Sequence, residues 1–344
     1  MAASAATVDL AGTSVELDAL PDGTDYVNSG SEVVDLVVTT ANATTNVYGG
    51  SISGAIRLVK KGNGVLRLTS ANTYTGGSSI DEGILEGRHT GAFGSATITV
   101  KGRTAYAAGQ FCSVRFCAAG TFVNDIVVEN GIPYADDSTG WQTPQIEFSA
   151  TATGAQTILA GRVTGPSGEQ RLWVTDQDAV TVLGKDGRTA NCDFRFAGSV
   201  TANYLFGSPC NTLRFDGPVT ATRMWFNRTN QATNWKNFGD VRFKNAENDI
   251  GRIGYGYNYI ICDDANVLNG TILSADYSPS EAVWTYVALN GKAQSVGDLA
   301  TTQSKTTFNP TKLGAIVSAG NSHNDMSMSR RTTLTITPQD NSNT

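Results

Sequence analysis

The chain has 344 residues, 25 basic against 31 acidic side chains, a formal net charge of −6, 37 glycines and only 16% charged residues. So little charge leaves too few Lys, Glu and Arg for the solvated faces of helix bundles or coiled coils, and a 40% apolar content disfavours disorder. Mild acidity without a basic block argues against nucleic acid or an anionic membrane surface as partner. No apolar run reaches the roughly 18–20 residues of a membrane span.

The opening Met-Ala-Ala-Ser-Ala-Ala lacks the basic and apolar regions of a leader. A secreted chain of this sequence would already have lost one. In chain order, short alternating runs then follow at Val33–Thr39, Ile56–Leu68, Thr97–Lys101, Asn124–Val128, Arg171–Thr175, Ala179–Leu183, Leu213–Thr220 and Thr332–Thr337, each closed by Gly, Asn, Asp or Pro. No stretch holds a 3.6-residue apolar period over three turns, so the class is all-β.

Repetition narrows the architecture. Arg195-Phe196-Ala197-Gly198-Ser199-Val200-Thr201-Ala202 returns nineteen residues later as Arg214-Phe215-Asp216-Gly217-Pro218-Val219-Thr220-Ala221, with looser echoes at Arg115-Phe116 and Arg242-Phe243. A period near twenty residues fits one coil of a solenoid, in which each strand pairs in parallel with its counterpart one coil on and like side chains stack inside. Phe196, Phe215 and Phe243 are expected to form one interior stack, with the neighbouring arginines outside. The expected fold is a right-handed parallel β-helix, a single elongated domain over residues 1–344.

A longer period is also present. Val8-Asp9-Leu10-Ala11-Gly12 leading to Leu20 matches Val287-Ala288-Leu289-Asn290-Gly291 leading to Leu299, and Leu36-Val37-Val38-Thr39 matches Leu334-Thr335-Ile336-Thr337 after a 19-residue insertion. Residues 8–46 and 287–344 thus read as equivalent phases of successive units, and the chain as a slice of a tandem array. Strand edges in a shared phase favour open head-to-tail stacking of copies.

The segments Val47 to Gly54, Leu58 to Thr69 and Ala71 to Gly77, continuing through Gly83-Ile84-Leu85 to Val100, closely resemble the passenger-associated, or autotransporter-associated, β-strand repeat of bacterial surface proteins. The resemblance is strong over 47–102 and weaker at 8–46 and 287–337. It implies a parallel β-helix outside a Gram-negative-type cell with a structural, adhesive or export-supporting role, neighbouring repeat units or copies of itself as partners, and no catalytic residues. Read from the residues themselves, Ile56, Leu58, Val65, Leu66 and Leu68 line the interior, while Gly62, Gly64, Gly76 and Gly77 supply left-handed corners. Asn63 and Asn72 suit corners because asparagine tolerates that conformation and bonds its own backbone.

Chemistry is sparse. His89 and His323 are the only histidines, neither near a nucleophile elbow or a second zinc ligand. The acid pairs Asp136-Asp137 and Asp263-Asp264 invite comparison with polysaccharide lyases and hydrolases, but adjacent strand residues face opposite ways. Asp22-Gly23-Thr24-Asp25 is a weak calcium candidate, since no calcium-binding nonapeptide recurs. Cys112, Cys117, Cys192, Cys210 and Cys262 read as small buried hydrophobes. No enzyme activity, metal or cofactor is expected. The one suggestive pattern is Tyr255-Gly256-Tyr257-Asn258-Tyr259, whose alternation sets three phenols on one strand face as a platform for surface glycans, with Trp225, Trp235 and Trp284 as candidate neighbours. A tyrosine ladder packed under a loop is the more ordinary use of that pattern. The sequence reads as an extracellular structural and adhesive segment of a large surface protein, with a carbohydrate-binding module or lyase-like enzyme as the alternative.

Overall fold

The short runs turn corners at their bounding residues rather than folding back on themselves, and each pairs with the strand one coil further along. A computed structural model of the chain describes residues 6–105, 110–133, 144–149, 154–176, 192–208, 212–226, 240–254, 259–276, 283–302, 313–318 and 334–336. The chain divides into two compact units, Met1–Gln177 and Asp178–Thr344. Within both, every pairing between the named strands described below is parallel, and an isolated antiparallel bridge joins Pro133 and Gln170.

In the first unit, besides a parallel pair of Gly120–Phe122 with Gln156–Leu159, three ladders run side by side. One takes Val15–Leu17, Val34–Thr39, Ile56–Lys61, Ser78–Ile80, Ile98–Val100, Ile126–Val128 and Val163–Thr164. A second takes Thr45–Tyr48, Val65–Leu68, Gly83–Gly87, Cys112–Phe116, Ile146–Phe148 and Arg171–Asp176. A third takes Ala6–Asp9, Thr24–Asn28, Ile52–Gly54 and Thr73–Tyr74. The chain visits the three in turn: Ile52–Gly54, Ile56–Lys61 and Val65–Leu68, then Thr73–Tyr74, Ser78–Ile80 and Gly83–Gly87. All-parallel ladders of this kind are consistent with a β-solenoid.

Register makes the core. Leu36, Leu58, Ser78, Ile98, Ile126 and Val163 are successive partners in the first ladder, and all are buried. Leu66, Leu85, Val114, Ile146 and Val174 do the same in the second. Each aliphatic chain so enclosed contributes roughly 1.5–3 kcal/mol. Where Phe116 and Phe148 follow Leu68 in the next stack, Gly87 takes the rung between. A Cβ there would sit 2.5 Å from the ring of Phe93, which fills the space instead.

In the second unit Asp193–Phe196, Thr212–Phe215, Asp240–Phe243, Tyr259–Cys262, Val283–Ala288 and Leu313–Ser318 form one ladder. Val200–Ser208, Val219–Phe226, Asp249–Gly254, Ile272–Asp276 and Asp298–Thr302 form another. Phe196, Phe215 and Phe243 are register partners and stack as expected, at 5.2 Å in both steps with ring planes 7° and 13° apart. Arg195, Arg214 and Arg242 each immediately precede one of these rings and keep part of their side chains in solvent.

The two segments related by the long period share local geometry. Leu10 accepts a hydrogen bond from the Thr13 amide and Leu289 one from the Lys292 amide, both at 2.8 Å, across turns with positive φ at Ala11 and Gly12 and at Asn290 and Gly291. Val15 pairs with Leu36, and Gln294, the same step after its turn, pairs with Leu334.

Several expectations need correction. The run Ile56–Leu68 is two strands, because Gly62, at φ 69°, turns a corner inside it. Leu213–Thr220 likewise belongs to Thr212–Phe215 and Val219–Phe226. Gly62 and Gly77 are left-handed, but Gly64 and Gly76 are not. Those two are required by close approach, since a Cβ would lie 2.2 Å from the Ala41 carbonyl and 2.6 Å from that of Ile56. Neither Asn63 nor Asn72 is left-handed. Val65 alternates outward and is only half-buried, whereas Leu66 and Leu68 are interior. Ala179–Leu183 lies outside the described residues.

Candidate functional site

Alternation along the second ladder sends Leu66, Leu85 and Val114 inward, so Thr45, Val65, Ile84 and Ser113, and then Val47, Arg67, Glu86, Arg115 and Glu147, point the other way. The latter set stacks charges of alternating sign. Glu86 accepts from Arg67 Nε at 2.6 Å, Arg88 Nε at 2.7 Å and Arg115 Nη1 at 3.2 Å. Arg115 Nε donates onward to Glu147 at 2.7 Å, and the Ser113 hydroxyl completes that carboxylate at 2.5 Å. Glu86 and Glu147 are both buried. Burial pushes the Glu86 carboxyl up, but the hydrogen bonds and charges of Arg67 and Arg88 more than offset it, and its pKa falls below the usual value.

A second such network lies on the ladder of the stacked phenylalanines. Asp193 accepts from Arg195 Nη2 at 2.7 Å and from Arg214 Nε at 2.9 Å. Arg214 Nη1 reaches Asp263 at 3.0 Å, and Arg242 grips the same carboxylate through Nε at 2.9 Å and Nη2 at 2.5 Å. In the first row a one-coil slip would set like charges against each other, so it helps to define register. In the second, Arg195, Arg214 and Arg242 already lie in register and are held apart in charge by Asp193 and Asp263.

Beside the first network, where the turns at Asn42–Thr45 and Asn63–Val65 lie one above the other, opens a cleft of about 640 Å³. Val65 and Ile84 line its apolar part, with Glu82, Arg103, Gln110 and Phe111 around it. Next to it sits an unusual interior residue. Lys60 takes the rung between Val38 and Ile80 in an aliphatic stack and is wholly buried. Its ammonium donates to the carbonyls of Lys61 at 2.7 Å, Gly62 at 2.5 Å and Glu82 at 3.3 Å, tying one corner to the next. Burial nevertheless lowers its pKa to about 8.

The expected site residues fare differently. Tyr255 and Tyr257 lie outside the described residues, and of Tyr259 only the backbone, in strand Tyr259–Cys262, is described. Trp235, Asp136, Asp137, His323 and Cys210 also lie outside, and Trp225 and Trp284 are described in backbone alone. Asp263 is committed to two arginines, and Asp264 accepts the Ala265 amide. They are not brought together as acid and base. Asp22 and Asp25 accept the amides of Gly49 and Ser51 at 2.7 Å. His89 accepts the amide of Gly91 at 3.0 Å, closing an exposed turn. Cys112, Cys117 and Cys262 are buried free thiols, and Cys192 is buried. Burial raises Cys112 to about 11 and Cys117 to about 12, so neither is a ready nucleophile. Among the described residues no His, Cys, Asp and Glu cluster is arranged to hold a metal ion.

What sequence reasoning missed is the charge networks, the cleft and the interior lysine. The nineteen-residue spacing of Arg67 and Glu86 is the one signal that could have found the first network.

Residues 58–86 match the family model of the passenger-associated-transport-repeat. Over 169 residues the chain is 30% identical to the Adhesin BmaC autotransporter of Brucella suis biovar 1 (strain 1330), an alignment covering 47% of this chain and 4% of that protein. The chain therefore spans a small fraction of the length of this relative. No solved structure matches it. The chain carries a passenger-associated transport repeat and is adhesin-like by distant homology.

Proposed function

We propose that this autotransporter passenger repeat region is an extracellular segment of a large bacterial surface protein, folded as a right-handed parallel β-helix and acting as a rigid, adhesive stalk. The observation that carries the reading is the in-register pairing of strands about one coil apart, with interior residues of one kind repeated from coil to coil. Such a stack lengthens by about 4.8 Å per coil, the spacing of paired strands, and draws its stability from nearest neighbours. Reach is obtained from little sequence. Right-handedness follows the general preference of parallel strand crossovers.

Its expected partners are neighbouring repeat units or copies of itself, stacked head to tail. Support comes from the matched registers of Val15 with Leu36 and Gln294 with Leu334, since coils in one phase offer complementary edges. A lyase-like activity finds no support at Asp263, whose carboxylate already holds two guanidinium groups.

Fusion of the chain ahead of an autotransporter membrane barrel in a Gram-negative bacterium tests the reading. The segment should become accessible to added protease at the cell surface and increase adhesion to host-cell monolayers. Retention inside the cell, or display without added adhesion, would overturn it. Light scattering that finds a strict monomer at high concentration would remove the stacking of copies.

A further inference from the structure

We propose that the cleft lined by Asn42, Asn63, Glu82, Arg103, Gln110 and Phe111 is a binding site for a neutral oligosaccharide. The inference deepens the adhesive part of the function proposed above and rests on it. Its volume of about 640 Å³ falls within the range of small-ligand pockets. Glu82 and Arg103 are the charged groups of the lining and cancel each other, so the cleft is matched to an uncharged ligand rather than to a polyanion.

The remaining polar lining consists of side-chain amides and the hydroxyls of Thr44 and Thr45. Amides and hydroxyls both donate and accept, as sugar hydroxyls do. Beside them, the half-buried ring of Phe111 and the methyl groups of Val65 and Ile84 form an apolar surface suited to the C–H face of a pyranose.

The site is held in shape before anything binds. Asn63 Oδ1 accepts the Phe111 amide at 2.8 Å, and Asn63 Nδ2 donates to Asn42 Oδ1 at 3.3 Å, fixing two amides on stacked corners. Arg103 Nη1 donates to Gln110 at 2.6 Å, yet its Nε is buried without an acceptor among the described residues. An unmet donor in a cleft wall favours any small shift that brings it onto a ligand oxygen. Donors, acceptors and an apolar floor thus converge on rigid corners, the arrangement a specific saccharide site needs.

The test uses the whole chain and a panel of neutral, acidic and sulfated tri- and tetrasaccharides, with binding read by saturation-transfer NMR and titration calorimetry. At least one neutral member should bind, and Arg103→Ala and Asn42→Ala should each weaken it tenfold or more, with far-UV circular dichroism and thermal unfolding unchanged. The cleft is overturned if no neutral member binds, if only acidic members bind, or if both variants retain full affinity. Loss of binding in Tyr257→Ala but not in Arg103→Ala transfers the site to the tyrosine stripe. Surface display with adhesion that ignores the cleft variants removes the cleft and leaves the stalk intact, so the two readings fail separately.

Discussion

The ring of Phe215 lies 5.2 Å from that of Phe243 with planes 13° apart, and it meets Phe196 on its other side at the same distance. Phe215 is therefore the middle rung of a stack whose three members are all wholly enclosed. Phe215→Ala should cost about 3–5 kcal/mol, the usual range for emptying a core aromatic site. Phe215→Leu should cost less, because it forfeits ring stacking worth about 1 kcal/mol but keeps most of the volume. Stability in a stacked array is local, so hydrogen exchange is the suitable measurement. Protection should fall first in Asp193–Phe196, Thr212–Phe215 and Asp240–Phe243, and a uniform loss along the chain would contradict the nearest-neighbour account.

Asn72 supplies a second test. Its side-chain oxygen accepts the Ile52 amide at 2.8 Å and its nitrogen donates to the Ala92 carbonyl at 2.7 Å, so one buried amide joins three successive corners. Asn248 repeats the device between Val219 and Val267. Asn72→Ala leaves an amide and a carbonyl unpaired, at a cost of roughly 1–3 kcal/mol. Asn72→Asp keeps the acceptor but sets an oxygen against the Ala92 carbonyl, and should be worse at neutral pH than at pH 3. Thermal unfolding of the two variants at both pH values checks the order.

The asparagine also marks a limit of sequence reading. Its place at a corner was legible from composition, but its bonds run to neighbouring coils, which local patterns do not report. The phenylalanine stack was legible because an eight-residue echo at constant spacing carries register with it. The Arg67, Glu86, Arg115 and Glu147 row was not, because the steps between its members change length as loops intervene. Lys60 was hidden by the ordinary rule that lysine faces water, although it sits two residues from Leu58 and so shares its inward parity.

Glu86 should make the first unit sensitive to acid. Its folded pKa lies below the ordinary carboxyl value of 4.5, so its contribution is present above that value and is lost as pH falls through the folded pKa. Glu86→Gln should destabilise by about 3 kcal/mol at pH 7, the lower end for breaking a buried pair, because Arg67 and Arg88 reach solvent. The variant should then lose less stability than wild type between pH 5 and pH 3. Denaturant midpoints measured across that interval decide the matter, and parallel profiles would show that Glu86 carries no such linkage.

Lys60 acts at the alkaline end, where its charge is a cost to the folded chain rather than a gain. Burial lowers its pKa from 10.5 to about 8, so at neutral pH the folded chain bears the cost of an enclosed ammonium. Between pH 8 and 10.5 the unfolded lysine holds its proton while the folded one has lost it, so this residue's contribution to stability rises with pH over that interval. Cys112, Cys117 and Cys262 pull the other way, since burial raises all three thiols above their ordinary 9.0 and the unfolded thiols ionise first. The buried phenols of Tyr48 and Tyr74 do the same at higher pH, so the lysine is read as a difference from a variant. Measured from pH 7.5 to 9.5, wild-type stability should therefore gain on that of Lys60→Met, whose profile lacks the lysine's contribution and keeps only the thiol losses. The methionine would fill the aliphatic stack between Val38 and Ile80 yet leave the carbonyls of Lys61, Gly62 and Glu82 without their donor. It should be the less stable protein at pH 9.5, where the neutral amine still donates without the charge penalty. Wild-type and Lys60→Met profiles that run parallel would show that Lys60 carries no such linkage.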